Sequence, residues 1–123
     1  MYTILVVDDE KDIVSALEIY LKAEGYRVLS ACNGKEALAA AAREDVHLIL
    51  MDIMMPEMNG YEATKAIRAM NDRPDGKNIP IIAMTANSFA EDVQASLDAG
   101  MNAHLSKPIV IDEVIKTILR YVR

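Results

Sequence analysis

The sequence predicts an α/β protein built around a parallel sheet. Five short apolar segments alternate along the chain with five helical patterns, and strands joined by helices run parallel with right-handed crossovers. The third segment, residues 48–51, is apolar throughout, which is typical of a strand buried on both faces. Pro56 and the pair Asn59-Gly60 follow it and predict a loop and a turn. We therefore expect a central strand that emerges into a loop at Asp52.

The first three helices are predicted from their apolar spacing and their ends. The first has an apolar stripe and is followed by Gly25, a residue type that suits the position after a helix. The second is rich in Ala and follows an Asn-Gly turn, and the third has one apolar face. The stripe of the first helix comprises Ile13, Leu17, Tyr20 and Leu21, and that of the third Ala63, Ala66, Ile67 and Met70. The predicted strands are residues 4–7, 28–31, 48–51, 79–84 and 104–105, and the later helices are residues 35–43, 61–70, 91–99 and 111–122.

The second half of the chain adds a loop and two more helices. Residues 71–78 carry Asn, Asp, Pro and Gly, which predict an exposed loop. The fourth helix is expected to pack Val93 and Leu97 and to end at Gly100. The fifth has acidic residues in its first turn and Arg in its last, as the helix dipole favours. Its apolar stripe comprises Ile111, Val114, Ile115, Ile118, Leu119 and Val122.

Length and composition limit the class of protein. A chain of 123 residues with 52% hydrophobic residues suits a single domain, which we expect to span residues 1–123. No apolar run approaches the roughly 20 residues of a bilayer span, and no basic segment precedes the first apolar run, so we expect a cytoplasmic protein without membrane association. Cys32 is the single cysteine, which excludes an internal disulfide. The formal charge of −6 argues against direct binding to nucleic acid.

Polar residues follow four of the predicted strands at the point where each strand ends. Asp8 and Asp9 follow the first strand and Asp52 follows the third. Thr85 follows the fourth strand, and Lys107 comes after the fifth. The carboxyl ends of parallel strands lie along one edge of a sheet, where ligands bind. We therefore expect three carboxylates, a hydroxyl and an ammonium group in one pocket.

This set of groups suits a metal ion and a phosphoryl group. Carboxylates at close range repel one another unless one is protonated or a cation lies among them. Oxygen ligands suit Mg²⁺, which completes its shell with water and phosphate oxygens. Lys107 can pair with a carboxylate or with a phosphoryl group, and Thr85 can donate a hydrogen bond to the same group. A carboxylate can act as the nucleophile and form an aspartyl phosphate.

Each of these residues also has a purely structural interpretation. The acidic residues after the first strand can cap the first helix. Asp52 and Thr85 can be turn or cap residues, and Lys107 can be a solvated lysine. The methionines that follow Asp52 are expected to pack rather than to act as ligands. The joint placement at four strand ends favours a functional site over coincidence.

Four segments at these strand ends form a specific combination. They read Val-Val-Asp8-Asp9-Glu10, Met-Asp52-Ile-Met-Met-Pro56 with Asn59-Gly60, Met-Thr85-Ala86, and Ser-Lys107-Pro108. Together they resemble the receiver domain of response regulators in two-component signalling, the CheY-like family. The resemblance covers essentially the whole chain. It implies a flavodoxin-like, doubly wound parallel sheet of five strands in the order 2-1-3-4-5, with five flanking helices.

The resemblance also implies a reaction. Asp52 would accept a phosphoryl group from the phosphohistidine of a histidine kinase or phosphotransfer domain, in a Mg²⁺-dependent phosphorelay. Lys107 and Thr85 would contact that phosphoryl group, and the peptide bond before Pro108 would be cis. Such a domain is not a conventional enzyme, because it catalyses only its own phosphorylation and dephosphorylation.

The resemblance further implies the ligands of the metal ion. Asp9 and Asp52 would bind Mg²⁺ directly, together with the backbone carbonyl of Met54. Asp8 would act through a bound water molecule.

The sequence departs from the family at one switch position. The family has Tyr or Phe three residues before the lysine, whereas this chain has His104. If Thr85 turns toward a phosphoryl group, His104 would fill the space it leaves, and helix four, strand five and helix five would present the change to a downstream partner. The alternative is that His104 is a surface residue of a short edge strand. Helix four carries acidic residues and no Lys or Arg, which favours a monomer or weak dimer.

Other interpretations stay open at this point. The first half of the chain resembles receivers of transcriptional regulators, and the second half those of hybrid histidine kinases, so the chain could be a fragment of either. A degenerate receiver that serves only as an interaction module would have lost Asp52, Lys107 or the acidic pair. A flavodoxin-like binding module would need a phosphate loop after the first strand. A phosphatase with an Asp nucleophile would usually place a second Asp two residues after the first.

Overall fold

The structure is a computed structural model that describes residues 2–70, 76, 78–86 and 90–122, with backbone alone at residues 90–93. The strands are β1 (Thr3–Val7), β2 (Arg27–Ala31), β3 (Leu48–Asp52), β4 (Ile81–Thr85) and β5 (Ala103–Ser106). The helices are α1 (Lys11–Ala23), α2 (Gly34–Arg43), α3 (Gly60–Arg68), α4 (Ala90–Ala99) and α5 (Ile111–Tyr121). Every predicted element is present, with small differences at the ends. Most of the loop predicted at 71–78 lies outside the described residues.

The strands form one parallel sheet in the order β2-β1-β3-β4-β5. The predicted fold is therefore confirmed, including the strand order. The chain passes from β1 to β2 on one side of it and then returns through α2 to form β3 on the other side, which makes the β1–β3 boundary the switch point of the topology. None of the helices in the described part of the chain has the length and apolar character of a bilayer span.

Apolar side chains form a core on each face of the sheet. Successive residues of a strand point to opposite faces. In β1, Leu5 packs with side chains of α2 and α3, whereas Ile4 packs with side chains of α1 and α5. All residues of β1, β3 and β4 are buried. This burial on both faces explains why the central strands are apolar without alternation.

The prediction that three apolar helix residues pack in the core is wrong. Tyr20, Leu97 and Leu119 are 52%, 52% and 49% exposed. In α4, Ser96 and Ala99 are each only 4% exposed, and Leu97 lies about 100° around the helix from Ser96. Among the described side chains of α4, small residues therefore face the core, and Leu97 faces solvent. The predicted packing of Val93 lies outside the described residues.

Candidate functional site

The sheet brings the predicted site residues to its carboxyl edge. Asp52 is the last residue of β3, and Asp8 directly follows β1, the neighbouring strand. Both are almost completely buried, at 2% and 1% exposure. The backbone N–H of Asp8 donates a hydrogen bond to the carbonyl of Ala31 at 3.1 Å, which ties the start of the loop to β2. Asp9, in contrast, is exposed.

Lys107 bridges the two buried carboxylates. Its Nζ atom lies 3.1 Å from Asp8 Oδ2 and 3.2 Å from Asp52 Oδ1, and its side chain is only 16% exposed. A third carboxylate belongs to Glu10, whose Oε1 atom lies 3.7 Å from Lys107 Nζ and whose side chain is 63% exposed. Burying two carboxylates is costly unless a cation compensates them, and Lys107 supplies that compensation here.

Thr85 and Lys107 are linked through the backbone. The N–H of Lys107 donates a hydrogen bond of 2.7 Å to the carbonyl oxygen of Thr85, the buried last residue of β4. The peptide bond between Lys107 and Pro108 is cis, as the resemblance implied. Thr85 pairs with Ser106, the residue before Lys107, so β4 and β5 together fix the backbone position of the lysine.

The loop after Asp52 is shaped by Asn59 and Gly60. The side chain of Asn59 accepts a hydrogen bond from the backbone N–H of Glu62, and the Glu62 carboxylate accepts one from the backbone N–H of Asn59, forming a capping box at the start of α3. Gly60 donates to the carbonyl of Ile53 at 3.0 Å. A Cβ atom at Gly60 would collide with the carbonyl oxygen of Asp52, so a side chain here would displace the backbone of the site.

The environment raises the pKa of Asp52 to about 6. Burial is the largest cause, and the nearby negative charge of Asp8 adds to it. The charge and hydrogen bond of Lys107 and a hydrogen bond from the Met54 backbone act in the opposite direction. The carboxyl group of Asp52 is therefore destabilised as an anion even though a lysine contacts it.

The pKa of Lys107 is raised as well. Burial by itself would lower it, but the close contact with Asp8 and the charges of Asp52 and Asp8 outweigh burial. The lysine is therefore held as a cation. One ammonium faces several carboxylates, which leaves the pocket with excess negative charge.

Three carboxylates lie close enough together to share a divalent cation. Oxygen atoms of Asp8, Asp9 and Asp52 lie within 4.8 Å of one another. Within the described residues, the buried Oδ2 atom of Asp8 accepts no hydrogen bond, and the ion pair with Lys107 is its contact. A hard cation with bound water would supply the missing donors and remove the excess negative charge. The residues therefore fit Mg²⁺.

The structure places two other predicted residues at the surface. Met54, whose backbone carbonyl is predicted to bind the metal, follows β3 and is 73% exposed. The prediction that this methionine packs is therefore wrong, whereas Met55 is only 7% exposed. His104 lies in β5 beside Ala83 of β4, and its side chain is exposed. In this conformation His104 thus has the surface position that the alternative interpretation required.

Glu10 is a further residue of the site that the sequence pattern did not predict. Its backbone N–H donates a hydrogen bond of 2.9 Å to Asp8 Oδ1, and its carboxylate is near Lys107. The signal was present in the sequence, since Glu10 completes the acidic segment after β1. Its expected role as a helix cap concealed the contact across the pocket.

The fold and this cluster define a receiver-type signalling domain. A family model described as the response regulator receiver domain matches residues 4–119. The chain therefore belongs to the response regulator receiver family of two-component signalling.

Similar proteins have varied architectures. An uncharacterised 14.6 kDa protein of Leptolyngbya boryana is 42% identical over 96% of this chain and 88% of its own length. The sensor histidine kinase GacS of Pseudomonas protegens is 35% identical over 96% of this chain but only 13% of its own length. The transcriptional regulatory protein PrrA of Mycobacterium tuberculosis is 34% identical over 98% of this chain and 49% of its own length. This chain therefore spans half or less of the last two.

Solved structures show the same fold. The chemotaxis protein CheY4 of Vibrio cholerae has a TM-score of 0.93 and 33% identity, covering 99% of both chains. The receiver domain of the sensor histidine kinase PA1611 of Pseudomonas aeruginosa has a TM-score of 0.87 and 38% identity, covering 98% of this chain and 96% of that chain. That structure holds a magnesium ion in its active site cleft.

Proposed function

We propose that this domain accepts a phosphoryl group on Asp52 from the phosphohistidine of a histidine kinase or phosphotransfer domain. The observation that carries the proposal is the position of Asp52, buried at the end of the central strand, 3.2 Å from a lysine and within a cluster of carboxylates. In this reaction a carboxylate oxygen of Asp52 forms a bond to phosphorus while the phosphorus–nitrogen bond to the donor imidazole breaks. Lys107 and the Thr85 hydroxyl would stabilise the charge on the phosphoryl oxygens.

We propose Mg²⁺ as the cofactor. Asp9, Asp52 and the Met54 backbone carbonyl would hold it directly, and Asp8 would do so through water. When bound, the ion supplies charge stabilisation to the transferring phosphoryl group. The magnesium ion in the PA1611 receiver and the excess negative charge of this pocket support the assignment.

The phosphoacceptor can be tested by labelling. Incubation with Mg²⁺ and acetyl phosphate should add one phosphoryl group to the wild-type domain and none to Asp52→Asn, because the amide cannot form the acyl phosphate. Asp45→Asn, which removes an exposed carboxylate from the loop before β3, is the control and should label normally. Equal labelling of Asp52→Asn at another carboxylate would refute the assignment.

We further propose that phosphorylation is read on the surface formed by α4, β5 and α5. Thr85 would move toward the phosphoryl group and His104 would respond. This surface includes Leu97 on α4 and Tyr121 on α5, whose hydroxyl donates to the carbonyl of Asn102 just before β5. Amide chemical shifts with and without beryllofluoride test this route. Changes confined to residues around Asp52, with His104 and α4 unchanged, would exclude it.

We propose that residues 1–123 form one domain that acts in the cytoplasm as a monomer or weak dimer, without contacting nucleic acid itself. It would serve within a transcriptional regulator, a hybrid kinase or a short protein such as CheY4. A degenerate receiver is not favoured, because Asp52, Lys107 and the acidic pair are all in place.

A further inference from the structure

Glu10 occupies the N-cap position of α1 but does not act as a cap. Its backbone has the extended conformation of an N-cap residue, φ −90° and ψ 109°, yet its side chain makes no hydrogen bond to the helix. A capping side chain usually stabilises a helix by accepting a hydrogen bond from the first turn. The carboxylate of Glu10 instead lies 3.7 Å from Lys107 Nζ. The carboxylate of Glu10 therefore contacts a residue across the pocket rather than its own helix.

The three carboxylates around Lys107 differ in what a divalent cation would do to them. Asp8 and Asp52 belong to the cluster whose oxygens lie within 4.8 Å of one another, and Glu10 is outside it. With a divalent cation bound, the oxygens of Asp8 and Asp52 would be directed to that cation, and the lysine would be repelled by a like charge. Of the carboxylates that contact Lys107 in the described residues, that of Glu10 alone would keep its full attraction.

We propose that Glu10 is a positioning residue for Lys107, which keeps the ammonium group at the mouth of the pocket while a divalent cation occupies the carboxylate cluster. The lysine is then in place when a phosphoryl group arrives on Asp52. This inference rests on the proposed function. Glu10 is suited to the role because its backbone is fixed by the hydrogen bond to Asp8, while its carboxylate contacts Lys107 and remains 63% exposed.

The test compares Glu10→Gln with Glu24→Gln. Glu24 lies at the other end of α1, at its C-cap, so this control makes the same chemical change away from the pocket. Mg²⁺ affinity and beryllofluoride affinity are measured separately by amide chemical shifts, and the Lys107 ammonium signal is followed in the Mg²⁺-loaded protein. Beryllofluoride serves as the phosphoryl mimic.

Glu10→Gln should weaken beryllofluoride binding about two- to fivefold, the range of an exposed ion pair, and should change Mg²⁺ affinity less. It should also broaden or shift the Lys107 ammonium signal, while Glu24→Gln changes none of the three. An equal loss of Mg²⁺ and beryllofluoride affinity would show an effect on the metal ligands and overturn the proposal, as would unchanged beryllofluoride binding. Failure of the wild-type domain to bind beryllofluoride would refute the proposed function instead, and the Lys107 signal would still decide the role of Glu10.

Discussion

Lys107 and Arg68 are both partly buried cations at an edge of the sheet, but their partners differ in charge. At the carboxyl edge, Lys107 faces the carboxylates of Asp8 and Asp52. At the amino edge, the guanidinium of Arg68 donates hydrogen bonds to the carbonyls of Gly76, Ile79 and Gly100 and to the side-chain oxygen of Asn102. Among the described residues, these partners of Arg68 are neutral.

The two environments shift the pKa values in opposite directions. Burial lowers the pKa of Arg68, and no acidic group in the described residues opposes it. The pKa of Lys107 is raised because the carboxylates outweigh burial. A guanidinium remains charged even when its pKa is lowered. Arg68 therefore holds α3 against the segments before β4 and β5 through permanent hydrogen bonds. Lys107 lies among charges that a metal ion or phosphoryl group can change. The two edges therefore differ in that neutral groups hold the cation at the amino edge and carboxylates hold it at the carboxyl edge.

The largest expected effect is at the amino edge. Arg68→Met should lower the free energy of unfolding by about 2–4 kcal/mol, because several carbonyl groups lose a charged donor. Urea denaturation at neutral pH measures it. Arg43→Met removes an exposed arginine with one hydrogen bond to Ala39 and should change the stability by less than about 0.5 kcal/mol. Equal effects of the two substitutions would remove the distinction between the edges.

At the carboxyl edge, a substitution of Asp52 should raise the free energy of unfolding instead of lowering it. Between pH 3.8 and about 6 the folded protein retains a proton on Asp52 that the unfolded chain has released. The stability from this raised pKa is present below pH 3.8 and is lost as the pH rises through about 6. Asp52→Asn lacks the charge and should therefore be more stable than wild type by about 1–3 kcal/mol at pH 8. Urea denaturation in metal-free buffer at pH 8 and pH 4 tests this, and a substitution that destabilises equally at both would contradict it.

Stabilisation of the fold by Mg²⁺ is a smaller effect, and it should depend on the carboxyl edge and not on the amino edge. At ten times its dissociation constant, Mg²⁺ should stabilise the folded protein by about 1.4 kcal/mol, because it binds the native cluster and not the unfolded chain. Thermal unfolding with and without Mg²⁺ measures the gain. Arg68→Met should keep the gain and Asp9→Ala should lose most of it. A melting temperature that Mg²⁺ leaves unchanged would argue against the metal site.

Local patterns predicted the elements of this fold well. Strand burial on two faces requires continuous apolar runs, and a helix on the sheet requires a 3.6-residue stripe, so both leave a trace within a few residues. The sequence also placed Asp8, Asp52, Thr85 and Lys107 at one edge, because parallel strands carry their carboxyl ends together. The resemblance then supplied the strand order and the cis bond.

By itself, then, the sequence determined the secondary structure, the parallel sheet and the groups at its carboxyl edge. The tertiary structure decided which helix side chains are buried, as the exposure of Leu97 shows, and which long-range partners a polar residue has. Arg68 binds groups at Gly100 and Asn102, over thirty residues away. The carboxylate of Glu10 contacts Lys107 instead of capping α1. No periodicity or spacing in the sequence predicts either contact, because each depends on the distance between elements, which only packing sets.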